Sequence, residues 1–103
     1  MRQLRYTPRA ESDVFEIVES AARTIDLDAA FGIGDRLYDQ CEKLAMLPGT
    51  LGRPRDDLGM GLRTFPFLSY VIVFQYLEEN VLEVARILHS RRDLHALFGQ
   101  PKS

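Results

Sequence analysis

The segment Ser69-Tyr70-Val71-Ile72-Val73-Phe74-Gln75-Tyr76 constrains this chain more than any other. Its β-branched and aromatic residues predict a strand. Alternation puts Tyr70, Ile72, Phe74 and Tyr76 on one side and Val71 and Val73 on the other, so both sides are apolar. Such a strand belongs in the middle of a sheet, covered on both faces. The chain has 103 residues, which suits a single domain over 1–103 with a modest core. Few elements are available to supply the two covers.

The rest of the chain offers one clear lid. Arg2 to Tyr6 predicts a short strand, and Thr7-Pro8 a helix start: a hydroxyl cap, then proline at the first helical position. Glu11 and Asp13 follow where carboxylates suit the helix dipole. Ala10, Val14, Ile17, Val18, Ala21 and Ile25 form an apolar stripe at helical spacing. Asp26 or Asp28 caps a second helix, whose stripe runs Ala30, Ile33, Leu37, Cys41, Leu44 and Leu47 until Pro48-Gly49 ends it. Gly32 and Gly34 weaken that helix, and close packing against the first is expected there. Gly49 to Gly61 reads as a loop, Leu62 to Phe65 as a strand stopped by Pro66, Glu78-Glu79-Asn80 as a turn and Val81 to Leu88 as the last strand. Arg91 to Phe98 predicts one short helix, and Gly99 to Ser103 a polar tail. The order β-α-α-β-β-β with a short C-terminal helix predicts an α+β domain, its helical hairpin on one face of a largely antiparallel sheet. The hairpin covers only one face. The other falls to the C-terminal segment, to a partner, or to both, and the excess of apolar surface argues for a second polypeptide.

Residue chemistry narrows the classes. Net charge is −2, but carboxylates dominate Pro8 to Leu47. From Arg86 onward Arg86, Arg91, Arg92 and Lys102 face Asp93 alone, so this end is the anion-facing one. Arg86 sits among apolar neighbours. It reads either as a snorkelling side chain paired with a nearby glutamate, or as a guanidinium held open for a partner's carboxylate or phosphate. His89 ends the last strand. It is a hydrogen-bonded structural residue, or else a general acid with Arg63, Arg86 and Arg91 holding a phosphate. His95 tells less. Only His89, His95 and Cys41 offer soft metal ligands, and none has zinc-site spacing, so neither metal nor cofactor is expected. Cys41 lies on the inward stripe and reads as an inert core residue. No apolar run approaches the ~20 residues of a membrane span. No apolar segment follows Arg2 and Arg5, so a signal peptide is not expected and the cytoplasm is.

Gly61-Leu62-Arg63-Thr64-Phe65-Pro66-Phe67, then Tyr70 to Phe74, Val81 to His89 and Arg91-Arg92-Asp93-Leu94, resemble the ParE-type toxins of the RelE/ParE superfamily. Tyr6-Thr7-Pro8-Arg9-Ala10-Glu11-Ser12-Asp13 looks like that family's first strand-to-helix junction. Two departures concern turns: Ser90 stands where glycine is common, and Leu68-Ser69 replaces a glycine-containing turn. The resemblance implies the RelE/ParE-like fold and the toxin role in a type II toxin–antitoxin system. It also implies a ParD-like antitoxin in a hetero-oligomeric complex, and inhibition of DNA gyrase without catalysis. Arg63, Arg86, Arg91 and Arg92 would then meet the target. A folding antitoxin tail would cover Leu62, Phe65, Phe67, Tyr70, Ile72, Phe74, Leu82 and Leu88. The alternative is a RelE-like, ribosome-dependent mRNA endonuclease, or mRNA interferase, built on Arg63, Arg86 and His89. A net acidic chain with Lys43 and Lys102 as its only lysines offers little base for RNA phosphates, which favours the first reading.

Overall fold

The structure, a computed structural model, describes residues 2–78 and 80–98. Its elements are β1 (Gln3–Tyr6), α1 (Pro8–Thr24), α2 (Leu27–Met46), β2 (Arg53–Pro54), β3 (Arg63–Phe67), β4 (Tyr70–Leu77), β5 (Val81–His89) and α3 (Leu94–Leu97). The tail from Gly99 and the middle of the expected Glu78-Glu79-Asn80 turn lie outside the described residues.

The hairpin starts where its caps dictate. The Thr7 hydroxyl accepts from the Ala10 amide at 3.1 Å, and Asp26, rather than Asp28, caps α2 by accepting from Ala29 at 2.7 Å. The two glycines of α2 behave differently. A Cβ on Gly34 would stand 3.0 Å from a Val18 methyl, so the helices approach closely there, whereas Gly32 has open space around it.

One five-stranded sheet runs β1-β5-β4-β3-β2. The β3, β4 and β5 strands form the expected antiparallel meander. The first strand joins it in parallel beside β5, with Leu4 opposite Leu82 and Tyr6 opposite Val84. Pro66 does not stop β3, which continues to Phe67. The two-residue β2 pairs only with Arg63 and Thr64, so Pro66 lies at an open edge where a missing N–H costs nothing. The β3–β4 turn puts Leu68 at φ +57°, the strained conformation that glycine usually takes.

A bulge interrupts β5. Val73 faces Arg86 but Phe74 faces Val84, so Ala85 is an extra residue. The first strand ends at Tyr6, and beyond it the start of α1 takes over as neighbour of β5. The Thr7 hydroxyl donates to the Ala85 carbonyl at 2.7 Å, and the Ile87 amide donates to Asp13 at 2.9 Å. Backbone groups that a longer β1 would have paired are thereby satisfied.

The hairpin buries one sheet face. Val14, Leu37, Cys41 and Leu44 pack with Ile72, Phe74, Leu82, Val84 and Ile87 in a single core. The opposite face closes within the chain as well. Val73 is fully buried, and Thr64 and Leu88 nearly so. The Arg55–Leu62 loop buries Leu58, and α3 is tied to that loop by a 2.8 Å contact between His95 Nε2 and an Asp57 carboxylate oxygen. Leu94 lines the same groove as Thr64 and Val71. The Arg55–Leu62 loop, with the C-terminal segment beside it, covers the centre of the second face: Ile72, Val73 and Phe74 need no other polypeptide to hide them, contrary to expectation, while Tyr70, Val71 and Tyr76 stay half-buried.

Candidate functional site

Two of the four arginines expected to face a target are committed elsewhere. Arg86 forms a two-pronged bond to Asp13, Nε to Oδ2 at 2.8 Å and Nη2 to Oδ1 at 3.0 Å. With the Ile87 amide, three donors converge on one buried carboxylate. The hydrogen-bonded Asp13 pushes the Arg86 guanidinium above its already high ordinary pKa, against the opposing effect of burial. The partner is an aspartate 73 positions away, not a neighbouring glutamate. Arg63 donates to the Leu51 and Gly52 carbonyls at 2.6 and 3.1 Å. Tyr76 completes this anchor. Its hydroxyl accepts from the Leu51 amide at 2.8 Å, and Arg2 lies over its ring at 4.4 Å. Both arginines hold the fold.

The other two remain available. Arg91 and Arg92 are exposed, and no carboxylate pairs with either guanidinium among the described residues. Their backbone is fixed by His89: its Nδ1 accepts from the Arg91 amide at 3.2 Å and its carbonyl from the Arg92 amide at 3.0 Å. The His89 ring meets Tyr70 edge-on at 5.8 Å. His89 is thus a hydrogen-bonded residue that organises the turn. The groove of about 310 Å³ beside it is lined by Asp13, Glu16, Ser20, Tyr70, His89 and Arg92, among others. Arg63 pairs with Phe74 and His89 with Tyr70, four residues apart along β4, or about 13 Å. The trio Arg63, Arg86 and His89 is not gathered around one reacting atom.

The residues expected under an antitoxin divide in two. Ile72, Phe74, Leu82 and Leu88 are buried in the chain itself and present no surface. Alternation marks them as apolar strand positions, and the hairpin and C-terminal covers already occupy those positions. Leu62, Phe65, Phe67 and Tyr70 keep part of their surface exposed. Cys41 is fully buried, and burial raises its thiol to about 11, as an inert core residue requires.

Sequence reasoning missed another surface. Phe15, Ile25, Leu27, Phe31, Met46 and Leu47 are each about half exposed or more. All lie on the helical hairpin or at its helix ends; Ile25 and Leu47, expected as the last members of the inward stripes, are the C-caps that follow Thr24 and Met46 and are exposed instead. Phe15 and Phe31 fall outside those stripes, and that is the signal that could have found them.

The parts define a class: a small α+β protein of the RelE/ParE-like fold, with the centre of its sheet buried, two exposed arginines before its last helix and apolar surface left on its helices. The chain belongs to the ParE toxin family. The family model described as "ParE toxin of type II toxin-antitoxin system, parDE" matches residues 4–94. Ten solved chains match as well. One is described as "Chromosomal ParDE TA system from P. aeruginosa"; at 22% identity it covers 86% of this chain and 96% of its own length, with a TM-score of 0.73. A search of curated proteins finds no match. No helix among the described residues is long and apolar enough to cross a membrane.

Proposed function

We propose that this toxin acts in the cytoplasm by binding DNA gyrase and is neutralised by a ParD-like antitoxin. The observation that carries the choice of mechanism is the commitment of Arg63 and Arg86. Phosphoryl chemistry on RNA needs positive charge and an acid–base group around the scissile phosphate. Here one arginine is spent on loop carbonyls and the other on Asp13. A protein that works by occupying its target needs only a rigid, accessible surface. Arg91 and Arg92, held by His89 at the entry to α3, supply the charged part of one. Leu62, just before β3, and Phe65, Phe67 and Tyr70 on β3 and β4 are the residues of the expected set that an antitoxin tail can still reach.

Purified toxin added to a gyrase supercoiling assay tests this directly. Inhibition is expected, relieved by the product of the adjacent antitoxin gene. The double variant R91E/R92E should weaken inhibition at least about ten-fold, the scale of loss at an interface hot spot, with its thermal melt unchanged. Unimpaired supercoiling, together with rapid loss of ribosome-bound mRNA on expression, would replace this reading with the ribonuclease one.

A further inference from the structure

The loop between β2 and β3 holds one apolar side chain out in water. Met60 is 93% exposed, more than any other large hydrophobic residue among those described. The loop beneath it is closely bonded. The Arg55 amide donates to the Leu62 carbonyl at 2.8 Å and closes it. The Leu58 amide donates to the Arg55 carbonyl, and the Leu62 amide to that of Gly59, each at 3.0 Å. Arg55 forks onto the Asp57 carboxylate at 2.9 and 2.8 Å, and the Gly61 amide donates to Asp56 at 3.1 Å. Leu58 plugs the underside, 1% exposed. The glycines flanking the tip suit this path: Gly61 lies at φ +83°, and a Cβ on Gly59 would stand 2.8 Å from a Leu62 methyl. A methionine displayed this way adds little stability by burial. It is instead preorganised, because the loop is already ordered before anything docks on it.

Position and charge identify the partner. Asp57 also meets His95 of α3 at 2.8 Å, which ties the loop to the segment that follows Arg91 and Arg92. Asp56 accepts from Gly61 but pairs with no base among the described residues. An anionic lipid surface would repel that carboxylate. A two-fold contact through the tip would bring the Asp56 carboxylates of two copies together. We propose that Met60 is the apolar anchor of the target contact, entering a nonpolar pocket of the target protein that has basic side chains at its mouth. An unbranched thioether adapts to the irregular walls of such a pocket. The inference rests on the reading of this chain as a toxin that works by occupying a protein, and it adds to Arg91 and Arg92 a contact of the opposite character.

Full-length Met60→Glu, Met60→Leu and Asp56→Asn chains test it beside the unaltered toxin in three assays: gyrase supercoiling, growth arrest on expression, and binding to the product of the adjacent antitoxin gene. Met60→Glu should lose at least about ten-fold in inhibition. Met60→Leu, of similar volume, should stay within about three-fold. Asp56→Asn keeps an acceptor for the Gly61 amide and should weaken inhibition more at low salt than at high. Thermal melts and antitoxin binding should be unchanged in all three. Full inhibition by Met60→Glu, an equal loss in Met60→Leu, weakened antitoxin binding, or an Asp56→Asn chain indistinguishable from the unaltered toxin would overturn the inference. Growth arrest separates the two claims. If the unaltered toxin arrests growth without touching supercoiling, the gyrase reading falls, and the anchor stands only if Met60→Glu abolishes the arrest. Gyrase inhibition that survives Met60→Glu defeats the anchor alone.

Discussion

The sheet and the outer hairpin treat apolar side chains in opposite ways. At the centre of β4, Ile72, Val73 and Phe74 point to both faces and all three are fully buried by the chain's own elements. On the hairpin, Phe15 and Phe31 sit on helices whose inner stripes are well packed, yet both rings are mostly in water. A core residue contributes stability in proportion to the area it hides, about 25 cal/mol per Å². A phenylalanine left mostly in water contributes far less and raises the risk of association. The centre of the strand that looks unfinished in the sequence is therefore finished within the chain, and the apolar surface left in water is one the helical periodicity conceals.

The comparison can be broken most forcefully at the sheet. Asp13→Ala leaves a buried guanidinium and the Ile87 amide without their acceptor, which should cost about 3–5 kcal/mol in urea unfolding. Replacing Asp13 and Arg86 together by leucines should recover much of that loss. Next comes Gly52, at φ +75°, where a Cβ would lie 2.8 Å from both the Phe74 ring and the Thr64 carbonyl oxygen. Gly52→Ala should cost about 1–3 kcal/mol through overpacking and backbone strain. Gly32→Ala, in open space, should instead stabilise by about 0.5–1 kcal/mol through helix propensity.

Alkaline pH probes the interface between the two regions. Burial holds the Cys41 thiol at about 11 in the folded chain, above its ordinary value near 9. The unfolded chain loses that proton first. The stabilisation is therefore complete below pH 9 and lost as pH rises towards 11, about 1 kcal/mol by pH 10. Burial also raises the Tyr6 hydroxyl, with Cys41 contributing, so the two act in the same direction. Cys41→Ala should flatten the thiol part of the decline in unfolding curves measured between pH 8 and 10.5. The smallest effect belongs to the hairpin surface: Phe15→Ala and Phe31→Ala should each leave stability within about 0.5 kcal/mol. A loss of the size seen in the core would mean that those rings are packed.

Local signals made most of the fold legible. Thr7-Pro8, Asp26 and Pro48-Gly49 bracket the helices because capping acts over a few residues. The meander follows from alternation in Tyr70 to Tyr76 and Val81 to Leu88. What stayed hidden depends on distant contacts. The β2 strand has two residues and no period. The parallel placement of β1 and the bulge at Ala85 are set by pairing across the chain. The partner of Arg86 is an aspartate that sequence reasoning assigned to a helix dipole, because nothing local links Asp13 to the last strand. The C-terminal helix is shorter than Arg91 to Phe98, since residues 91–93 form the turn anchored by His89 and Asp93 caps what remains. The candidate site shows the same division: exposed Arg91 and Arg92 were legible as a charge excess, whereas burial of Ile72 and Phe74 required knowing both lids.

Hydroxyl-radical footprinting of the purified toxin by itself tests this division of labour most directly, because it labels side chains according to their contact with water. Phe15 and Phe31 should be modified readily, while Ile72, Val73 and Phe74 stay unlabelled until the chain unfolds. Rapid labelling of Val73 and Phe74 in the native protein, at rates matching Phe15, would mean that the sheet is open and lacks a cover of its own.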